Sequence, residues 1–130
     1  MTENPSNLPG TDGAGPQNEP PVDMTRLAGI TAGFPEVFNE IIKIFINDAE
    51  SSVASISAAI RGCDPNQVRK IAHSLKGASL NVGAEALANA AESLEKNAMF
   101  ASATQLTEHY NQIKRHAVAT TSFLKSVLKE

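Results

Sequence analysis

The chain has 130 residues, enough for one domain with a core of its own plus a tail. Its 11 Lys and Arg against 14 Asp and Glu leave a net charge of −3, the wrong sign for a general nucleic-acid binder. No stretch approaches the roughly 20 apolar residues of a membrane span, and no basic then apolar leader opens the chain. The single cysteine, Cys63, excludes an intrachain disulfide, so a reducing, cytoplasmic setting is expected, with Cys63 a small buried or half-buried apolar residue.

Residues 1–22 are rich in Pro, Gly, Asn, Ser and Thr and almost devoid of apolar side chains. Such a segment cannot bury enough surface to offset the entropy of ordering, and it reads as a disordered tail or linker before a domain spanning 23–130. Asp23 is placed to cap a short helix from Met24 to about Ile30. Gly29 and Gly33 punctuate the chain before Pro35, which suits the first turn of a long helix. In that helix Phe38, Ile41, Ile42, Phe45, Ala49, Val53, Ile56 and Ile60 form one apolar stripe at spacings of three and four, ending near Gly62.

Asp64-Pro65-Asn66-Gln67 then reads as a helix start, with Asp64 as N-cap, Pro65 at the first helical position and Gln67 at the capping-box position. This third helix is expected to run to about Val82 and stop at Gly83. A fourth, Ala84 to about Asn97, turns Leu87, Ala91 and Leu94 inward. A fifth, about Ala101 to Leu128, carries a heptad-like stripe of Leu106, Tyr110, Ile113, Ala117, Thr120, Leu124 and Val127. Short connections imply antiparallel neighbours. The expected fold is all-α: an up-down-up-down antiparallel four-helix bundle with a short additional N-terminal helix, working as a monomer.

The third helix carries the chemistry. Val68, Ile71, Ala72, Leu75, Ser79 and Val82 cluster on one face, and at about 100° per residue His73 points roughly 160° away from its centre. Arg69, Lys70, Gly77 and Leu80 share the outer side, with Ala84 at the start of the next helix, and Lys76 stands one turn from His73 at a flank. Gly77 sits mid-helix, where glycine costs about 1 kcal/mol relative to alanine, one turn beyond His73 on the same face. A missing side chain there leaves room for another molecule to approach the imidazole. Leu80 offers the dry part of a docking patch, and the local cations can neutralise an arriving phosphoryl group.

Neutral imidazole is a capable nucleophile toward phosphorus, and phosphoryl transfer needs mainly positioning and charge neutralisation. The sequence contains no P-loop, no Gly-rich nucleotide loop and no acidic metal cluster, so donor and metal are expected to come from another protein. Ala72-His73-Ser74-Leu75-Lys76-Gly77-Ala78-Ser79, followed by Gly83-Ala84, Leu87 and Leu94-Glu95, resembles the signature of histidine phosphotransfer (HPt) domains, and the resemblance covers residues 23–128. It implies a phosphocarrier without kinase activity: His73 phosphorylated on Nε2, Lys76 on the phosphoryl oxygens, Gly77 leaving room for the partner, and Glu95 hydrogen-bonded to the imidazole. It also implies receiver domains of a hybrid sensor kinase or response regulator as partners, with Mg²⁺ in the receiver and no cofactor on this chain.

Other readings of these residues exist. A non-catalytic helical adaptor would bind a signalling partner through the same outer face without using His73 as an acceptor. His109 and His116, seven residues apart, could share a face, but further ligands at suitable spacing are missing and both read as boundary positions beside the core stripe, so no metal is expected.

Overall fold

The computed structural model describes residues 20–30 and 34–128. Five helices stand among them: α1 (Met24–Ile30), α2 (Pro35–Arg61), α3 (Pro65–Asn81), α4 (Glu85–Asn97) and α5 (Ala103–Val127). The four long ones pack as a closed ring, α2 on α3, α3 on α4, α4 on α5 and α5 back on α2. With connections this short, sequential neighbours run antiparallel, which is the expected up-down-up-down bundle with its short extra helix.

Each helix buries the stripe that its periodicity marks. Phe38, Ile42, Phe45, Ala49 and Ile56 of α2 meet Val68, Ala72 and Leu75 of α3, Leu87, Ala91 and Leu94 of α4, and Ile113, Ala117 and Leu124 of α5 in one core. Ser79 and Thr120 are buried with them, as their places in the stripes require. The Thr120 hydroxyl donates back to the His116 carbonyl at 2.7 Å, which removes the cost of a lone polar group in an apolar setting.

Local chemistry sets the helix ends. Asp23 Oδ1 accepts from the Thr25 and Arg26 amides and caps α1; Asp64 Oδ1 accepts from the Gln67 amide, with Pro65 at the first position of α3. The fifth helix starts two residues later than the sequence reading placed it. Ser102 is its N-cap, and Ser102 and Gln105 close a reciprocal capping box, a Ser-x-x-Gln signal that the apolar Phe100-Ala101 step had masked.

Two findings correct the sequence reading at the edges of the domain. Residues 1–19 of the expected tail lie outside the described residues, but Val22, assigned to that tail, is fully buried and belongs to the core with Leu27 of α1. The segment is strapped across the α3–α4 corner: the Asp23 amide donates to the Gly83 carbonyl at 2.8 Å, and Arg26 Nε donates to the Leu80 carbonyl at 2.7 Å. Gly83 has φ +80°, and a Cβ there would stand 3.0 Å from the Asp23 carbonyl oxygen, so both backbone angle and close approach require glycine.

Cys63 is the second correction. It is exposed, not buried, and takes a left-handed backbone with φ 55°, while Gly62 before it stays at φ −82°. The glycine that caps α2 is thus one residue short of the strained position. Left-handed backbone crowds a Cβ that glycine lacks. Cys63→Gly should therefore raise stability by about 1 kcal/mol, measured by urea unfolding; an unchanged midpoint would show that the turn carries no strain.

Candidate functional site

His73 lies in the middle of α3, and the same rotation that buries Ala72 and Leu75 turns it outward. Its side chain is 66% exposed. Across the helix pair, Glu95 near the end of α4 brings Oε2 to 2.8 Å from His73 Nδ1. Oε1 of the same carboxylate lies 3.1 Å from Lys76 Nζ. One α4 carboxylate thus bridges the two α3 residues that stand one turn apart.

The bond from His73, and secondarily Lys76, holds the Glu95 carboxyl below its ordinary value, against a partial desolvation that pushes it up. Glu95 is therefore an anion at neutral pH, and an anion can only accept. In the neutral ring Nδ1 must then carry the proton, which leaves the Nε2 lone pair facing solvent. Because this carboxyl titrates lower in the folded protein than in the unfolded chain, the contact contributes stability that is fully present above the ordinary carboxylate range. It is lost as pH falls through the lowered value.

The surroundings of the ring differ on its two flanks. On the α4 side lie Lys76 and Glu95, with the Glu92–Lys96 ion pair at 3.3 Å beyond. On the α2 side a shallow groove is lined by Lys70 and Ser74 of α3 and by Ser51 and Ser55 of α2. Arg69 is half-buried, with its guanidinium 3.1 Å from Asn66 Oδ1. Gly77 is exposed, and a Cβ built on it meets nothing within 4 Å. Leu80 is 44% exposed.

Of the residues singled out in the sequence, the structure brings His73, Lys76 and Glu95 into contact, and Arg69, Lys70, Gly77 and Leu80 stand on the same helix as His73. Ala84 is the exception. It is fully buried, because the strap through Val22 and Asp23 closes over the α3–α4 corner and the Ala84 amide is tied back to the Ser79 carbonyl. It is core, not docking surface. The Lys76–Glu95 contact is the feature the sequence reading missed. Its only signal was the spacing of His73 and Lys76, which sets both beside a common neighbour.

His109 and His116 are half-buried at the edge of the core. Burial, with Arg115 next to it, holds His116 below its ordinary value. Among the described residues no cluster of three metal-ligating side chains forms, and no helix is long and apolar enough to cross a membrane.

A helical bundle that holds one imidazole outward by a carboxylate, with a lysine in the same turn, is built as the acceptor half of a phosphoryl exchange. Fold and site together define a histidine phosphotransfer module. The chain belongs to the Hpt domain family, which matches residues 40–119. It is similar to the crystal structure of histidine-containing phosphotransfer protein B (HptB) from Pseudomonas aeruginosa PAO1, with a TM-score of 0.77 and 27% identity over 84% of this chain and 95% of that one. Curated protein sequences give no match.

Lys76→Ala tests the bridge. It removes one of the two groups that hold the Glu95 carboxyl down, so Glu95 should titrate higher. It also removes a cation from the phosphoryl's approach. Phosphorylation of the protein should slow by about ten-fold, less than the hundred-fold or more of an enclosed oxyanion donor, because the site is open to water. A carboxyl NMR titration and single-turnover rates measure the two effects; if neither moves, Lys76 is only a solvated charge.

Proposed function

We propose that this protein relays a phosphoryl group between receiver-domain aspartates of a hybrid sensor kinase and a response regulator, carrying it on His73 Nε2. The observation that supports this best is the 2.8 Å contact between His73 Nδ1 and Glu95, because it assigns the proton to the inner nitrogen and the lone pair to the outer one.

In the first transfer the Nε2 lone pair attacks phosphorus in line. The Nε2–P bond forms as the acyl O–P bond breaks, and the electron pair leaves with the donor carboxylate. The ring keeps its Nδ1 proton and gains positive charge, which the Glu95 carboxylate faces and stabilises, as an acid paired with histidine does in other nucleophilic sites. Lys76, freed in part from Glu95, turns to the phosphoryl oxygens. The second transfer is the reverse: a receiver carboxylate attacks, the N–P bond breaks, and Nε2 recovers its lone pair. Mg²⁺ is supplied by the receiver, and the chain itself holds no cofactor. The phosphoryl group comes from the partner, not from ATP, which makes the protein a carrier.

The test is incubation with a receiver domain phosphorylated by acetyl phosphate and Mg²⁺. Phosphate should appear on this chain in a form that is labile in acid and stable in base, as a phosphoramidate is. Label that survives acid, or no label from any receiver, would overturn the proposal.

A further inference from the structure

A phosphoryl group on His73 needs cations on the side to which Nε2 points, and the bond that holds the other nitrogen fixes that side. Nδ1 faces the Glu95 carboxylate of α4 at 2.8 Å. The two ring nitrogens look to nearly opposite sides of the imidazole, so Nε2 is turned away from α4. Lys76 belongs to the flank that Nε2 leaves. Its ammonium lies 3.1 Å from Oε1 of the same carboxylate, and it reaches the phosphoryl only by loosening that contact.

Helical geometry supplies a second lysine on the other flank. Lys76, three positions after His73, stands about 60° to one side of it around α3, and Lys70, three positions before, stands about 60° to the other. Residues three apart on a helix have Cβ atoms about 5–6 Å from each other, within reach of a flexible four-carbon lysine stem. Arg69, also one turn before His73, is engaged with Asn66 Oδ1 at 3.1 Å. Lys70 is exposed and has neither an ion-pair nor a hydrogen-bond partner among the described residues. Its surroundings suit an anion. Ser51 and Ser55 of α2, with Gln67 and Ser74 of α3, line the groove beside it, and no carboxylate does. Glu50, next to Ser51 in the chain, is taken up by Lys125 at 3.3 Å.

We infer that Lys70 is a second phosphoryl-binding cation of the site. Its ammonium contacts the oxygens of the phosphoryl group on Nε2 from the α2 side, with the Ser74 hydroxyl as a neighbouring donor, while Lys76 approaches from the α4 side. An ammonium and a hydroxyl both donate to phosphoryl oxygens, and Lys70 has no existing contact to give up when the group arrives. It therefore touches the group being transferred and is a catalytic residue, not a docking contact for the partner. The inference rests on the phosphotransfer reading, and its test separates the two.

The experiment compares two phosphoryl donors on the full chain. One is the receiver domain that exchanges phosphate fastest with the wild-type protein. The other is phosphoramidate, a small donor that needs no docking surface: Nε2 takes the phosphoryl group, and ammonia leaves with the electron pair of the broken N–P bond. Lys70→Gln should slow uptake from both donors by about five-fold to ten-fold, the scale of one charge close to phosphoryl oxygens in a water-exposed site. Lys70→Arg, which keeps the charge, should recover most of the rate. Lys96→Gln, which removes the same charge from the α4 flank, should change either rate by less than about two-fold. In the wild-type protein the NMR signal of the Lys70 ε-methylene should shift when phosphoramidate loads His73 with no receiver present. Unchanged rates in Lys70→Gln, a loss confined to the receiver donor, an equal loss in Lys96→Gln, or a Lys70 signal indifferent to phosphorylation overturns the inference and leaves His73 as acceptor untouched. If wild-type protein takes no phosphate from either donor, the transfer reading itself has failed and the role of Lys70 falls with it.

Discussion

His73→Gln takes up no phosphate from a phosphorylated receiver or from phosphoramidate, while its thermal unfolding stays close to that of the wild-type protein. Both halves follow from placement. The side chain is 66% exposed and contributes nothing to the core, so the substitution belongs to the surface class that shifts stability by about 0.5 kcal/mol or less. Glutamine can still donate an amide hydrogen to Glu95, so the α3–α4 contact survives in weaker form. What it lacks is a basic nitrogen with a free lone pair, and without one no N–P bond forms at this position. The remaining imidazoles do not substitute. His109 and His116 are half-buried on α5, and the Glu95 carboxylate pairs with His73 and Lys76, not with either of them. Residual label in His73→Gln, located by fragmentation on either of them, would move the acceptor to α5 and remove α3 from the chemistry.

The bundle and its reactive face were legible because the information is local. Periodicity on α3 needs only the sequence to show that Val68, Ala72, Leu75 and Ser79 share a side, and burial of that side forces His73 outward. The start of α3 was legible for the same reason, since Asp64 and Pro65 act within one turn. The failures lie where a residue's environment is made by distant chain. Ala84 reads as the first exposed turn of a helix, but Val22 and Asp23, some sixty residues earlier in sequence, cover it. Val22 itself reads as tail because its neighbours are prolines, and the hydrogen bonds from Asp23 to Gly83 and from Arg26 to Leu80 tie it down. The Lys76–Glu95 contact depends on the axial register of α3 against α4, which no single-helix pattern encodes.

The second large effect is expected at Gly77, where stability and transfer should move in opposite directions. Gly77→Ala places a methyl group into open space, since nothing lies within 4 Å of a Cβ built there. Replacing a mid-helix glycine by alanine gains about 1 kcal/mol of helix propensity, which for a domain of this size raises the unfolding midpoint by roughly 3–6 °C. The same methyl sits one turn from His73, on the surface the receiver must reach, so transfer should fall modestly. Gly77→Trp extends the comparison. The helix tolerates it, because the ring projects into solvent, but the ring occupies the volume through which the partner approaches Nε2. Transfer from a receiver should drop by about a hundred-fold or more, the scale of a misplacement of roughly 1 Å at a reacting centre, whereas uptake from phosphoramidate should fall far less. A glycine kept for packing would behave in the reverse way, with both variants destabilised and transfer lost only in proportion to unfolding. Calorimetry and the two donor rates, measured on the same preparations, tell these cases apart. A stabilised Gly77→Ala that transfers at the wild-type rate, together with a Gly77→Trp that still docks, would show that the open helix face beside His73 is not the route of approach.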